Sequence, residues 1–180
     1  LLQRNVQELE AVHRFAESRD LQLSITVATD SAIYFGEHKQ SMRPHDSHAV
    51  RQAFGRVIDV QLRKWNLKEN FRGWFNRTLM EYHETNQRRF RCDGASGFFY
   101  MDSFASIFLC HILNVRIGSL IEQPWDELWE SAEAERARGI AAVCDKCWLV
   151  CTGKAQIWEH KWQVGAEIVR DKIRSHLRIP

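Results

Sequence analysis

Apolar residues recur at steps of three and four from residue 2 to residue 19: Leu2, Val6, Leu9, Val12 and Ala16. That spacing predicts a helix with one buried face. The pattern then switches to strict alternation. Leu21, Leu23, Ile25 and Val27 interleave with Gln22, Ser24 and Thr26, which predicts a strand with one apolar and one polar face. Residues 28–46 are irregular, broken by Gly36 and Pro44. Asp46 or Ser47 can then accept from the free N–H groups of a new helix. Its buried face reads Val50, Phe54, Val57, Ile58, Leu62 and Trp65. A further helix is predicted from Phe71 to Thr85, with the stripe Phe71, Trp74, Phe75, Leu79 and Tyr82.

The pattern changes at Cys92. Gly97 to Tyr100 and Ile107 to Cys110 read as two short strands, with Asp102 to Ser106 as the turn. Val115 to Leu120 adds a short extended piece. Pro124 opens a helix, because its missing N–H is no loss in the first turn. Asp126 and Glu127 suit the positive helix end, and Trp125, Leu128 and Trp129 form one face. A second helix follows to about Val143. The last helix begins near Lys154, with Trp158, Trp162, Val169, Ile173 and Leu177 on one side. A soft boundary falls near residues 88–91, so the chain divides into residues 1–90 and 91–180. No internal repeat is visible.

Composition narrows the class. A chain of 180 residues with 44% hydrophobic and 27% charged residues folds around its own core, which excludes a disordered or low-complexity segment. No apolar run approaches the roughly 18 residues that span a bilayer, and no leader pattern opens the chain. A cytoplasmic protein with no membrane partner is expected. A net charge of +2 makes no case for nucleic acid. The chain does not begin with methionine and starts inside a helical pattern, as a piece of a longer protein would.

Five cysteines carry the chemistry. Cys92 and Cys110 flank the predicted hairpin, and Cys144-x2-Cys147-x3-Cys151 is a tight cluster. Thiolates so closely spaced can converge on one metal centre. Structural zinc and an iron–sulfur cluster both suit four thiolates. Disulfides would need an oxidising compartment, for which there is no secretion signal. Buried cysteines without metal complete the alternatives.

The stretch from Cys92 to Cys151 resembles the C-terminal auxiliary-cluster region of radical S-adenosylmethionine enzymes, of the SPASM or twitch type. Four pieces match in order. Cys92 precedes a glycine-rich step and hairpin, with Gly94, Gly97 and then Phe98-Phe99-Tyr100-Met101-Asp102; Cys110 closes that hairpin. Ile117-Gly118-Ser119-Leu120, followed by Trp125-Asp126-Glu127-Leu128-Trp129-Glu130-Ser131, is similar to the family's "IGNL…(F/W)eelW.S" segment. Cys144-Asp145-Lys146-Cys147-Trp148-Leu149-Val150-Cys151-Thr152 is similar to its "C.kCWm.Ct" ending. The resemblance implies an α+β fold: the end of a partial β/α barrel, then a small β-hairpin and a helical, cysteine-rich auxiliary-cluster domain. It implies one [4Fe–4S] cluster held by Cys92, Cys110 and two of the distal three, with Cys144 or Cys147 joined by Cys151. In the barrel, Ser24, Thr26 and Thr29 would face the substrate, a peptide, sugar or other small molecule.

Two departures stand out. The family's C-x3-C-x2-C motif, which holds the cluster that cleaves S-adenosylmethionine, is absent. Binding of S-adenosylmethionine would therefore belong to a longer parent protein that supplies the missing N-terminal barrel. A zinc-stabilised, non-enzymatic module on the same scaffold is the alternative. The second departure is Ala105, where the family commonly has glycine in the hairpin turn. A positive φ there would strain alanine by about 1 kcal/mol.

Other residues have plainer readings. His111 follows Cys110 and can tune a cluster by hydrogen bonding, but alternation puts it on the opposite strand face, which favours packing. His45 and His48 stand at i, i+3 near a helix start and read as a solvated helix end. Arg88, Arg89 and Arg91 surround Phe90 and read as an exposed junction, with phosphate contact as the alternative. Trp148 is expected to shield a cluster from water. The tryptophan stripes read as core, or as a face left exposed in a fragment.

Overall fold

The computed structural model describes residues 1–28 and 43–177. These form two compact units, one of residues 1–28, 43–87 and 160–177 and one of residues 88–159. The last helix thus packs with the N-terminal helices, whereas the sequence boundary placed residues 91–180 together.

The first unit is helical. A 3₁₀ turn, Gln3–Glu8, leads into α1 (Leu9–Ser18). Asp46 caps α2 (Ser47–Arg63) by accepting from the Ala49 N–H, as the sequence predicts. Asn66 caps α3 (Leu67–Thr85), and Asn86 ends it in the left-handed conformation. The fourth helix is α7 (Lys161–Leu177), and α2 packs against all three others. Leu62 lies where a Cβ on Gly73 would be, 2.8 Å from its Cγ, so glycine sets the approach of α2 and α3. The free carbonyls at the end of α2 are satisfied from elsewhere. Asn70 donates to the carbonyls of Gln61, Leu62 and Lys64. The Lys172 ammonium donates to those of Leu62 and Lys64, where the helix dipole favours a cation.

Several predicted faces differ. On α1 the buried residues are Leu9, His13 and Ala16, while Val12 is exposed. His13 reaches the interior with Glu17 3.3 Å away. Trp65 lies past the end of α2 and is exposed, with the Lys172 ammonium over its ring. The expected continuous last helix is two helices, because residue 160 breaks it. Trp162, Val169, Ile173 and Leu177 are exposed; α7 buries Val164, Glu167, Ile168 and Asp171 instead. Two of those four are acidic, and each has a partner on α3. The Trp74 indole N–H donates to Glu167 at 2.9 Å, and Arg77 pairs with Asp171.

Leu21 to Val27 is extended, and Ile25 and Val27 are buried while Ser24 and Thr26 are exposed, so the predicted alternation holds. It is not a strand. Among the described residues no second strand pairs with it; its backbone bonds are to Ala16, through the Leu21 N–H, and to Leu1, which donates to the Thr26 carbonyl and accepts from the Ala28 N–H. Ser24 and Thr26 border a shallow depression with Asn5 and Glu8. Thr29 lies outside the described residues.

His83, buried on α3, offers a pH test. Burial pushes its imidazole pKa down, and the Arg43 charge adds to the effect. The unfolded chain therefore takes up this proton first as the pH falls. Stability should decline from about pH 6.5 downward. The variant His83→Gln is expected to lose less stability than the parent between about pH 7 and about pH 5 in urea titrations. Parallel profiles would remove His83 from the acid response.

The second unit is mixed. Strands β1 (Tyr100–Met101), β2 (Ser106–Phe108) and β3 (Arg116–Ser119) form an antiparallel sheet in that order, with Tyr100 opposite Phe108 and Ile107 opposite Gly118. Together with the helices this makes the described residues α+β, with a small antiparallel sheet where the sequence placed a hairpin. Helix α4 (Trp125–Trp129) buries Leu128 close over Gly118. Helix α5 (Ala132–Ala142) buries Ala134, Ala137 and Ala141, small side chains that let it lie close to β3. Helix α6 (Val150–Glu159) ends the unit.

The β1–β2 turn is held by Asp102, whose carboxylate accepts from the Phe104 and Ser106 N–H groups, both at 2.9 Å. Ala105 sits in this turn at φ 58°. The left-handed conformation anticipated from its family departure is therefore present. Ala105→Gly is expected to raise stability by about 1 kcal/mol. A lower urea midpoint in the variant would mean that the alanine methyl packs more than it strains.

Candidate metal centre

Cys92 follows α3 in an irregular stretch, Cys110 follows β2, and Cys144 and Cys147 lie between α5 and α6. The fold brings these four to one place. Cys92, Cys110 and Cys147 are buried in one hydrophobic cluster with Ile107, Leu109 and Ile117, and half-buried Cys144 packs against it. Cys92 feels the charges of Cys144 and Cys110; Cys147 feels those of Cys110 and Cys92. Cys151 stands apart, exposed in the first turn of α6.

Hydrogen-bond donors surround three of the sulfurs. The Gly94 backbone N–H donates to Cys92. The Leu113 N–H lies 3.3 Å from the Cys110 Sγ. An Arg88 Nη1 lies 3.5 Å from the Cys147 Sγ, and the Thr152 hydroxyl 3.6 Å from it. Donors on sulfur stabilise the thiolate and so favour its role as a ligand. Burial works the other way: it raises the Cys92 thiol and pushes Cys147 up to about 11. Such thiols stay protonated in water unless a cation compensates them. Among the described residues no three cysteine, histidine or acidic side chains are close enough to hold one metal ion. Four thiols are the right donor type for a tetrathiolate centre, but they are not assembled into one in this structure.

Arg88 organises the region, which the reading of an exposed junction did not anticipate. Its guanidinium donates to the carbonyls of Phe90, Cys147 and Thr152 at 3.1, 2.5 and 3.1 Å. It also lies over the Trp148 ring, 5.3 Å from the centroid, and its backbone N–H donates to Asp145. Trp148 is fully buried, edge-on to Phe90. Gly153 presses against that indole, so α6 and Trp148 lock together. Arg91 is exposed. No sequence signal marks this role of Arg88, because its partners other than Phe90 lie 57 to 64 residues on.

The remaining candidates sit elsewhere. His111 is half-buried with its ring 6.5 Å from that of Tyr100, and burial lowers its pKa. His45 and His48 are exposed at the start of α2. Asp93, which sequence reading passed over, is buried beside Cys92 with neither carboxyl oxygen in a hydrogen bond of good geometry.

No family model matches the chain. It is 35% identical over 69 residues to an AdoMet-dependent heme synthase of Methanosarcina barkeri. That alignment takes in 34% of this chain and 20% of the relative, so the chain spans a small part of the relative's length. No solved structure matches. The match to an S-adenosylmethionine-dependent enzyme supports a relationship to radical S-adenosylmethionine enzymes. Among the described residues no helix is long and apolar enough to cross a membrane.

Proposed function

We propose that this chain is the auxiliary-cluster portion of a radical S-adenosylmethionine enzyme, and that Cys92, Cys110, Cys144 and Cys147 hold one [4Fe–4S] cluster. The observation that carries the reading is the gathering of these four thiols in one core cluster. Cys151, exposed on α6, is the spare cysteine. A bound cluster supplies one-electron transfer. The chain's own residues set its surroundings: Gly94, Leu113 and Arg88 donate to the sulfurs, the Thr152 hydroxyl lies beside Cys147, and the Arg88 charge offsets part of the negative charge of a thiolate-bound cluster. Trp148, wholly buried next to Cys147 in sequence, keeps water out of this part of the core. The C-x3-C-x2-C motif is absent from this sequence, so cleavage of S-adenosylmethionine belongs to other parts of a parent protein. The relative's named activity makes a tetrapyrrole the first substrate class to test there, ahead of peptides and sugars.

The test is metal and acid-labile sulfide content after purification without oxygen. About four irons and four sulfides per chain are expected. Cys110→Ser should lose most of both, and Cys151→Ser should keep them. About one zinc with no sulfide would make the same thiols a structural centre and overturn the iron–sulfur reading. Protein free of any metal would overturn both.

A further inference from the structure

Asp93 lines a cavity of about 760 Å³ within the 88–159 unit. The residue is only 9% exposed, neither carboxyl oxygen makes a hydrogen bond of good geometry although the Gln156 side chain approaches, and burial raises its pKa. A buried carboxylate short of donors is costly, and native structures rarely keep one without a purpose. The position is tightly determined: a Cβ on Gly97 would run into the Asp93 carboxylate, so glycine is needed there for the side chain to point as it does.

Exposed Arg91 also lines the cavity, whose remaining charges apart from Asp93 are engaged within it. The Arg138 guanidinium donates to the carbonyls of Ala95 and Trp129 and to Glu135. Glu159 accepts from Gln156 at 2.7 Å. Apart from Arg91, what remains is the weakly satisfied Asp93 carboxyl group among walls formed by Gly139, Ala142 and Ala155, with the largely exposed Trp158 indole also lining the space. A bare metal ion is a poor occupant, because no three ligating side chains converge among the described residues. A planar guanidinium fits better. Its paired N–H groups match the two carboxylate oxygens, its aliphatic stem suits the alanine walls, and an indole face attracts a cation.

We propose that this cavity binds an organic cation, a guanidinium on a short aliphatic stem, through Asp93. Cys92, one of the proposed cluster ligands, also lines the cavity, but binding through Asp93 does not depend on which metal the thiols hold.

The test titrates butylguanidinium into the full chain by calorimetry, with butanol and butyrate as controls. Millimolar binding of butylguanidinium is expected, with no binding of either control. Asp93→Asn should weaken it by at least about tenfold, the scale of a lost charge-assisted pair. Gly139→Leu provides a second arm. A Cβ at Gly139 meets nothing within 4 Å, so the helix tolerates the larger side chain while it fills the cavity. It too should weaken binding at least about tenfold. Absence of butylguanidinium binding, equal binding of butanol, or affinity unchanged in Gly139→Leu would overturn the proposal. Should Asp93→Asn fail to fold, the Gly139→Leu arm decides.

Discussion

Replacing Arg88 with alanine is expected to cost about 3 kcal/mol and to release the segment that carries Cys144 and Cys147. A hydrogen bond from a charged donor contributes about 1.5–3 kcal/mol. The Arg88 guanidinium makes three to backbone carbonyls, those of Phe90, Cys147 and Thr152. They act on one loop, so their effects are not additive. The substitution leaves the Cys147 carbonyl short of a donor and removes the cation above the Trp148 ring. Lysine keeps the charge but cannot present a planar fork to three acceptors, so Arg88→Lys should recover less than half of the loss. Urea unfolding gives the stability. Near-ultraviolet circular dichroism then reports Trp148, whose fixed setting between Arg88 and Phe90 should loosen. A variant with parental stability and an unchanged tryptophan signal would show that the loop is held by packing alone. The same substitution should lower metal retention, since one sulfur donor and the order of the segment bearing two proposed ligands are lost together.

Asp171→Ala is expected to destabilise the helical unit by about 3–5 kcal/mol, because it strands the Arg77 charge between α3 and α7. The Asp171 side chain is 1% exposed, and burial raises its carboxyl pKa even with Arg77 beside it. The pair is therefore worth little against an apolar replacement, while half of it is worth much less than nothing. The double variant Arg77→Met with Asp171→Leu should recover most of the stability lost in the single one. Thermal and urea unfolding of the parent and the two variants makes the comparison. A single variant within about 1 kcal/mol of the parent would mean that Arg77 finds water or Glu81, 3.7 Å away, once Asp171 is gone.

Much of the local structure is legible in the residues. The helix start at Asp46 follows from a side chain that can accept from a free N–H, and that cap is present. The hairpin around Asp102 follows from short β-rich runs with a turn between them; the positive φ at Ala105 was suggested only by the family resemblance. The four-thiol cluster was half legible. Spacing marked all five cysteines as chemistry, while the packing of the fold puts Cys92, Cys110 and Cys147 in one core with Cys144 against it and leaves Cys151 exposed.

What the sequence by itself determined was where the chain turns and which stretches are helical, because caps, turn residues and periodicity act over a few residues. Which face of a helix is buried was decided only by the tertiary structure. Apolar periodicity reports which residues gain by leaving water, and on α7 it pointed to Trp162, Val169 and Ile173. The helix instead buries Glu167 and Asp171, because Trp74 and Arg77, more than 90 residues earlier, supply the donors that remove the cost of doing so. The same holds for Arg88 and for the stretch Leu21–Val27, whose alternation is real but whose neighbours form no sheet with it among the described residues. A polar group is buried, and an extended segment becomes a strand, only when a partner meets it. The partner's distance along the chain leaves no mark in the local pattern.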